Sequence, residues 1–375
     1  MTYLISIIVF IIVFSVLILI HEFGHFYAAR RSGVKVEEFG IGLPPRMKGL
    51  WKDKMGTLYS INWIPFGGFV RMFGEDSTDE DMRKKEGSFA SQNILNRTII
   101  ILAGVIMNLL LGFVILAVLF SIGTKPFIVT MEDFKYYRDQ GILLAEDQVV
   151  VAGFEDWSQA DEKGLMEGDV IVKIDDKMVT FNQDVIDATR EKVNQSINIL
   201  VLRAEEELNV SIPVNQDGKM GVAIVEAPEI LEVKNISFPI HQAIYEAGYQ
   251  TGRLSYLTMT MFVQVIFDMV TKAEISRQIA GPVGIAQITH QTTKDGGIMD
   301  IFRLLAILTI SLGAINVLPI PALDGGRFLS IIFEFVTRRR PNALWEARIH
   351  AFGFVFILLL ILAVTYNDIV RLITG

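Results

Sequence analysis

The chain contains no cysteine. That excludes disulfides, a thiol nucleophile and thiolate metal sites, and leaves His, Asp and Glu as the ligands available to a metal. Charge is also scarce: charged residues are 20% of the 375 positions, hydrophobic residues are 51%, and mean hydropathy is +0.42. An ordinary soluble domain is about a quarter charged. The composition therefore argues against a soluble enzyme and against a disordered chain. Basic residues are in deficit, 34 Lys and Arg against 42 Asp and Glu, for a net charge of −8. No positive excess is left to hold a phosphate backbone, which argues against a nucleic-acid binder as well.

What the chain has instead is long apolar runs. Leu4 to Ile20 is 17 residues without a charge. No Lys or Arg precedes it and no small-residue cleavage site follows, so it reads as a retained span rather than a signal peptide. Thr98 to Ile122 gives 25 uncharged residues, Ile301 to Ile320 is broken only by Arg303, and Ala351 to Tyr366 gives 16. Crossing the hydrocarbon core takes about 17–25 residues, so four transmembrane helices are expected, the last with His350 and Asn367 at the interfaces. A fifth run, Leu254 to Val270, contains Gln264 and Asp268 and concentrates its apolar residues on one face. It reads as an interfacial helix, with a span as the alternative.

Lys and Arg near span ends set orientation. Residues 26–95 carry eleven and residues 323–350 carry five, so both loops should be cytoplasmic. Both termini and the long segment 123–299 then lie outside. Within that segment, residues 127–228 hold 9 basic and 21 acidic residues and read as a separate domain. Val170–Ile174 and Ile197–Leu202 have strand character, and Asn182–Lys192 reads as a helix. From Ser158 to Val179 the pattern is a short helix, a Gly168-Asp169 turn into a strand, and a hairpin. This resembles the core of a bacterial PDZ domain, a module that binds extended peptide ends by strand addition; Gln148–Phe154 would be its binding loop.

The first span runs straight into His21-Glu22-Phe23-Gly24-His25. At 3.6 residues per turn, positions 21 and 25 project from nearly the same face. Two imidazoles so placed can share one zinc, with the intervening Glu near the open coordination position. Arg30 and Arg31 should mark the cytoplasmic interface, which puts His25 and His21 roughly 8 and 14 Å below it. Ionisable groups at that depth are usually functional. Zinc needs a third protein ligand, and the candidate is Asp324 in Asn316-Val-Leu-Pro319-Ile-Pro321-Ala-Leu-Asp324-Gly-Gly-Arg327. It lies 21 residues beyond Arg303, roughly 30 Å of helix, which returns it to the side of the His pair. The prolines prevent a regular helix around them. Gly104, Asn108 and Gly112 recur every four residues and form one small-residue helix face, read as a packing face across which Asn108 could hydrogen-bond. His241, His290 and His350 are isolated and are read as non-ligands.

Together, the His-Glu-x-x-His span, the Asn-x-x-Pro-x-Pro-x-Leu-Asp-Gly segment and the PDZ-like insert closely resemble the bacterial site-2 proteases. The match is to the regulator-of-sigma-E type of intramembrane zinc metalloprotease, M50-like, and covers essentially the whole chain. One departure is that many members carry two tandem PDZ domains and this chain has room for one. The resemblance implies a polytopic α-helical membrane protein with about four transmembrane helices, a membrane re-entrant β-hairpin and one extracytoplasmic α/β PDZ domain. The expected division is a membrane half at 1–126, the PDZ domain at 127–228, a linker with interfacial helices at 229–300 and a second membrane half at 301–375.

It further implies one Zn2+ per chain on His21, His25 and Asp324, with Glu22 as catalytic base. Asn316, Pro319 and Pro321 match positions used near substrate, and Gly40 and Gly42 match a Gly-x-Gly motif. Thr57 to Met72, with Gly67 and Gly68 at its turn, would form the re-entrant hairpin whose edge receives an extended substrate; a structural β loop is the alternative there. Gly281-Pro-Val-Gly284 matches a family turn, read as structural. The implied partners are the lipid bilayer, single-span membrane proteins already trimmed by another protease (anti-sigma factors or remnant signal peptides), and a C-terminal peptide ligand of the PDZ domain. The implied location is the inner (plasma) membrane of a bacterium, with the site on the cytoplasmic side. A zinc transporter and a catalytically inactive PDZ adaptor are the alternatives; neither needs Glu22 as a base together with a complete zinc triad.

Overall fold

The computed structural model describes residues 2–75, 79–203, 206–272 and 280–374. Residues 76–78 of the expected cytoplasmic loop and 273–279 of the expected linker lie outside the described residues. In chain order the elements are α1 (Thr2–Arg31), β1 (Val36–Lys52), β2 (Leu58–Met72), α2 (Glu80–Lys84), α3 (Ile94–Ile122), α4 (Met131–Asp139), β3 (Leu143–Phe154), β4 (Val170–Ile174), β5 (Lys177–Met178), α5 (Asn182–Arg190), β6 (Ser196–Arg203), β7 (Glu206–Pro213), β8 (Val222–Val233), α6 (Ile240–Lys272), α7 (Pro282–Asp295), α8 (Ile298–Val317), α9 (Asp324–Thr337) and α10 (Ala343–Thr374). They form two compact units, one of residues 1–124 with 237–375 and the other of residues 125–236.

In the first unit, four helices among the described residues are long and apolar enough to cross a membrane: Tyr3–Arg31, Ile94–Ile122, Ile298–Val317 and Ala343–Val370. The chain is a multi-pass membrane protein. Helix α1 has no proline and runs on through the His-Glu-x-x-His segment. Arg30 and Arg31 in its last turn complement the helix dipole, and Gly33 closes it in a left-handed conformation while Val34 N–H returns to Ala29 O at 2.9 Å. Helix α3 starts at Asn93, whose side chain accepts from Asn96 N–H. It packs on α1 and α8, and α6 packs against both α3 and α8. The third span ends at Val317 rather than at Ile320, because Pro319 and Pro321 interrupt the helix. The fourth is longer than its apolar run, since flanking polar residues continue the helix in both directions. The fifth apolar run is part of the 33-residue α6. Gly281 and Gly284 start α7, and their N–H groups donate to the buried Asp368 carboxylate of α10 at 3.3 and 2.8 Å.

Strands β1 and β2 form a two-stranded antiparallel sheet in which each chain bends back on itself. Gly40 is thereby flanked by both Ser60 and Phe69, and Trp51 pairs with Tyr59. The hairpin expected at Thr57–Met72 is thus one partner of a larger β structure, and β1 was not legible as a strand. Phe39 and Tyr59 pack with Phe26 of α1, so the sheet lies on the helix that carries the histidines.

In the second unit a six-stranded antiparallel sheet has the order β7-β6-β4-β3-β8, with β5 paired to β4. Alternation places Ile197, Ile199 and Val201 of β6 inside, against Val149, Val151, Ile171 and the Val185 face of α5. Two expectations change here. Residues 158–164 form hydrogen-bonded turns rather than a short helix. Gln148–Phe154 is not a loop but the C-terminal part of β3, paired to β8 along its length and to β4 in part.

Candidate metal centre

His21 and His25 stand one helical turn apart on α1, both buried, with their rings edge to face at 4.8 Å. Their Nε2 atoms are 3.2 Å apart. Asp324 opens α9, and its Oδ2 lies 3.1 Å from His21 Nε2 and 3.3 Å from His25 Nε2. The straight-helix count from Arg303 is not how it arrives. The chain leaves α8 at Val317, turns through Pro319 and Pro321, and restarts as a helix at Asp324. Gly325 and Gly326 make this possible, since a Cβ on either would lie 2.1–2.3 Å from the carbonyl oxygens of Leu318 or Ile320. Ala322 takes a left-handed conformation (φ 78°), and its N–H donates to His350 Nδ1 at 3.0 Å. His350, which the sequence reading set aside, thereby braces the loop before Asp324.

The three-atom cluster suits a small divalent cation. A tetrahedral site with bonds of about 2.0–2.1 Å has ligand-to-ligand edges of about 3.3–3.4 Å, close to the observed separations. Asp324 Oδ2 is buried and makes no hydrogen bond. Three lone-pair atoms facing one another repel unless a proton or cation sits between them. Among the described residues this is the group of His and carboxylate side chains whose donor atoms converge in this way.

Helix α3 forms the wall behind the imidazoles. Gly24 meets it so closely that a Cβ would lie 2.4 Å from Ala103 O. Gly104 faces the rings, and a Cβ there would lie 2.4 Å from His25 Nε2. His25 Nδ1 is 2.8 Å from Ile100 O and donates to it, so that in the neutral ring Nε2 is the nitrogen with the free lone pair. Asn108 Nδ2 is 3.3 Å from His21 Nδ1. The face at 104, 108 and 112, read from sequence as packing, therefore serves the site at its first two positions. Gly112 packs against Ile310 of α8.

Glu22 is the residue next to His21 on α1 and is half-buried. Its Oε2 accepts from Val70 N–H of β2 at 3.0 Å. The remaining candidates lie on two neighbouring segments. Asn316 is buried in the last turn of α8, and Pro319 and Pro321 form the loop to Asp324, with Pro321 against Gly353 of α10. Gly67 and Gly68 press on Ile18 and Leu19 of α1, where a Cβ would lie 2.7 and 2.6 Å from their side chains. Gly40 packs under Phe69, and Gly42 (φ 79°) lies beside Ile64 O. Their role in this fold is close approach of the β-sheet to itself and to α1.

A membrane-embedded His-Glu-x-x-His helix, joined by a distant aspartate, marks a metallopeptidase class. The sequence pattern of peptidase family M50 matches residues 9–360, and the chain belongs to that family. A protein of Clostridium acetobutylicum, named provisionally as a zinc metalloprotease, is 31% identical over 366 residues, 97% of each chain. The regulator of sigma-W protease RasP of Bacillus subtilis is 28% identical over 98% of this chain and 99% of its own. The zinc metalloprotease RasP of Bacillus licheniformis is 27% identical over 98% and 99%.

Proposed function

We propose that the protein is a zinc-dependent intramembrane endopeptidase that cleaves the transmembrane segments of single-span proteins. The observation that carries this is the convergence of His21, His25 and Asp324 beside a carboxylate, Glu22, on a helix long and apolar enough to span a bilayer. His21, His25 and Asp324 would hold one zinc, which would supply acidification of a water and polarisation of a peptide carbonyl. Glu22 accepts the proton of the attacking water and returns it to the leaving amine, and Val70 N–H holds its Oε2 in place.

A helical substrate hides its peptide bonds and must unwind to be cut, which is costly in lipid where exposed backbone groups find no partner. The β1–β2 sheet acts as the membrane re-entrant β element and offsets that cost by pairing with the unwound strand, near Gly40, Gly42, Gly67 and Gly68. Asn316, Pro319 and Pro321 line the approach to Asp324. The acidic unit of residues 125–236 is a single PDZ domain outside the cell membrane, which filters or binds the trimmed ends of substrates of the anti-sigma-factor or signal-peptide-remnant type. The protein resides in a bacterial inner membrane with residues 26–95 and 323–350 cytoplasmic, in keeping with their Lys and Arg excess.

The test is cleavage of a pre-trimmed single-span protein by the purified chain in the presence of zinc. Cleavage within the span should vanish on chelation. Glu22→Gln should lower turnover by about 10²–10⁴-fold while zinc stays bound. Undiminished turnover by Glu22→Gln would sink the mechanism.

A further inference from the structure

We propose that Asn108 is a positioning residue for the metal centre: its side-chain carbonyl receives the His21 Nδ1 proton and so fixes the tautomer that presents Nε2 to the metal. The inference deepens the zinc-peptidase reading and rests on it. Asn108 lies on α3 at a fully buried position (0% exposed), one turn beyond Gly104 and two turns beyond Ile100. Its amide nitrogen is 3.3 Å from His21 Nδ1, and its Oδ1 is buried with no hydrogen-bond partner.

The protonation states decide what this means. His21 Nε2 points at Asp324 Oδ2 and His25 Nε2. For Nε2 to donate its lone pair to a cation, the ring proton must be on Nδ1. An amide NH2 facing that N–H would set two donors against each other beside an unused buried acceptor. Rotation of the amide by half a turn about its terminal bond removes both faults, because Oδ1 then accepts Nδ1–H. The oxygen and nitrogen ends of an amide have nearly the same shape, so this rotation needs no change in packing.

Two further observations make Asn108 suited to the task. Its backbone is pinned: Thr309 Oγ1 donates to Asn108 O at 3.4 Å, and Gly313 leaves space for its Cβ. The arrangement also repeats that of His25, whose Nδ1 is 2.8 Å from Ile100 O of the same helix. One helix thus orients both imidazoles, through a main-chain carbonyl for His25 and a side-chain carbonyl for His21. Ile100, Gly104 and Asn108 recur every four residues, so acceptor, space and acceptor lie on one stripe.

The experiment measures the zinc dissociation constant of the full-length protein in detergent, by competition with a chelator of known affinity, together with the thermal unfolding of the metal-free form. Asn108→Ala is expected to weaken zinc binding by about 10–100-fold, the usual effect of removing such a partner. Asn108→Asp keeps an acceptor oxygen in place and is expected to bind zinc at least as tightly as the parent. A packing role alone would move the unfolding of both metal-free variants and spare neither affinity selectively. Parent-like zinc affinity in Asn108→Ala, or equal loss in Asn108→Asp and Asn108→Ala, would overturn the inference alone. Failure of the parent to bind zinc would overturn the peptidase reading and this inference together.

Discussion

At the scale of single residues the site depends on what is missing as much as on what is present. Gly104 has no side chain, and the two imidazoles occupy the space one would take. Gly104→Ala would put a methyl 2.4 Å from His25 Nε2 and 2.8 Å from His21 Cε1. Overpacking of this kind costs about 1–3 kcal/mol, and here the strain falls on the ligands. Metal analysis of purified Gly104→Ala should show less than one zinc per chain with helix content by circular dichroism unchanged; full zinc with normal turnover would contradict it. His21 and His25 are legible from their spacing alone, because helical period puts them on one face. Asn108 and Gly104 are not. A small-residue stripe looks the same in sequence whether it serves a neighbouring helix or a neighbouring imidazole, and only the packing of α3 against α1 separates the two.

Elements hold the ligands in register through a buried ion pair. Arg97 of α3 donates to Glu334 of α9 at 2.7 Å, and Glu334 also accepts from Arg340 at 3.0 Å. Arg97 and Glu334 are both buried, and α9 is the helix that begins with Asp324. Glu334→Ala would strand a buried guanidinium, and removal of one partner of such a pair destabilises by about 3–5 kcal/mol. Thermal unfolding in detergent should show the loss, while the double replacement Arg97→Met with Glu334→Leu should recover most of it. Equal stability of Glu334→Ala and the parent would mean that the pair does not tie α9 to α3. At this scale α1 and α3 could be read from apolar runs without proline. β1 could not, since residues 36–52 include Gly40, Gly42, Pro44, Pro45 and Gly49, and its pairing comes from β2. α9 was hidden behind Asp324-Gly325-Gly326, which reads as turn chemistry. Those glycines instead let a helix begin directly beneath the carbonyl end of α8.

The whole molecule divides into an apolar unit and an acidic one, and each has its own source of stability. In the unit of residues 125–236, Asp169 is buried and is gripped by Arg203 through two contacts of 2.7 Å and by Met166 N–H at 2.8 Å. Burial alone would raise its pKa, but the Arg203 guanidinium and the Met166 N–H outweigh it and hold the carboxyl below the ordinary carboxylate range. A group depressed on folding contributes stability that is present above its unfolded pKa, about 3.9. That contribution is lost as pH falls through the folded value. Asp169→Asn should therefore lower the stability of this unit at neutral pH by about 1.5–3 kcal/mol and flatten its acid dependence below about pH 4. Hydrogen exchange of the buried β6 amides, followed across pH, would report it, and an unchanged acid profile would count against the grip.

From sequence alone came the membrane class, the acidic character of residues 127–228, the helical His pair with Glu22, and Asp324 as its remote partner. The first three depend on local period or on composition, and such features survive in one dimension; Asp324 came from its sequence motif and a count of helix length, and only the residue, not its route, was legible. Tertiary structure alone decided how Asp324 reaches the histidines, which helix packs against their rings, and that Val70 N–H holds Glu22. These depend on where separate helices and strands meet, and close approach between them is set by the shapes of both surfaces at once.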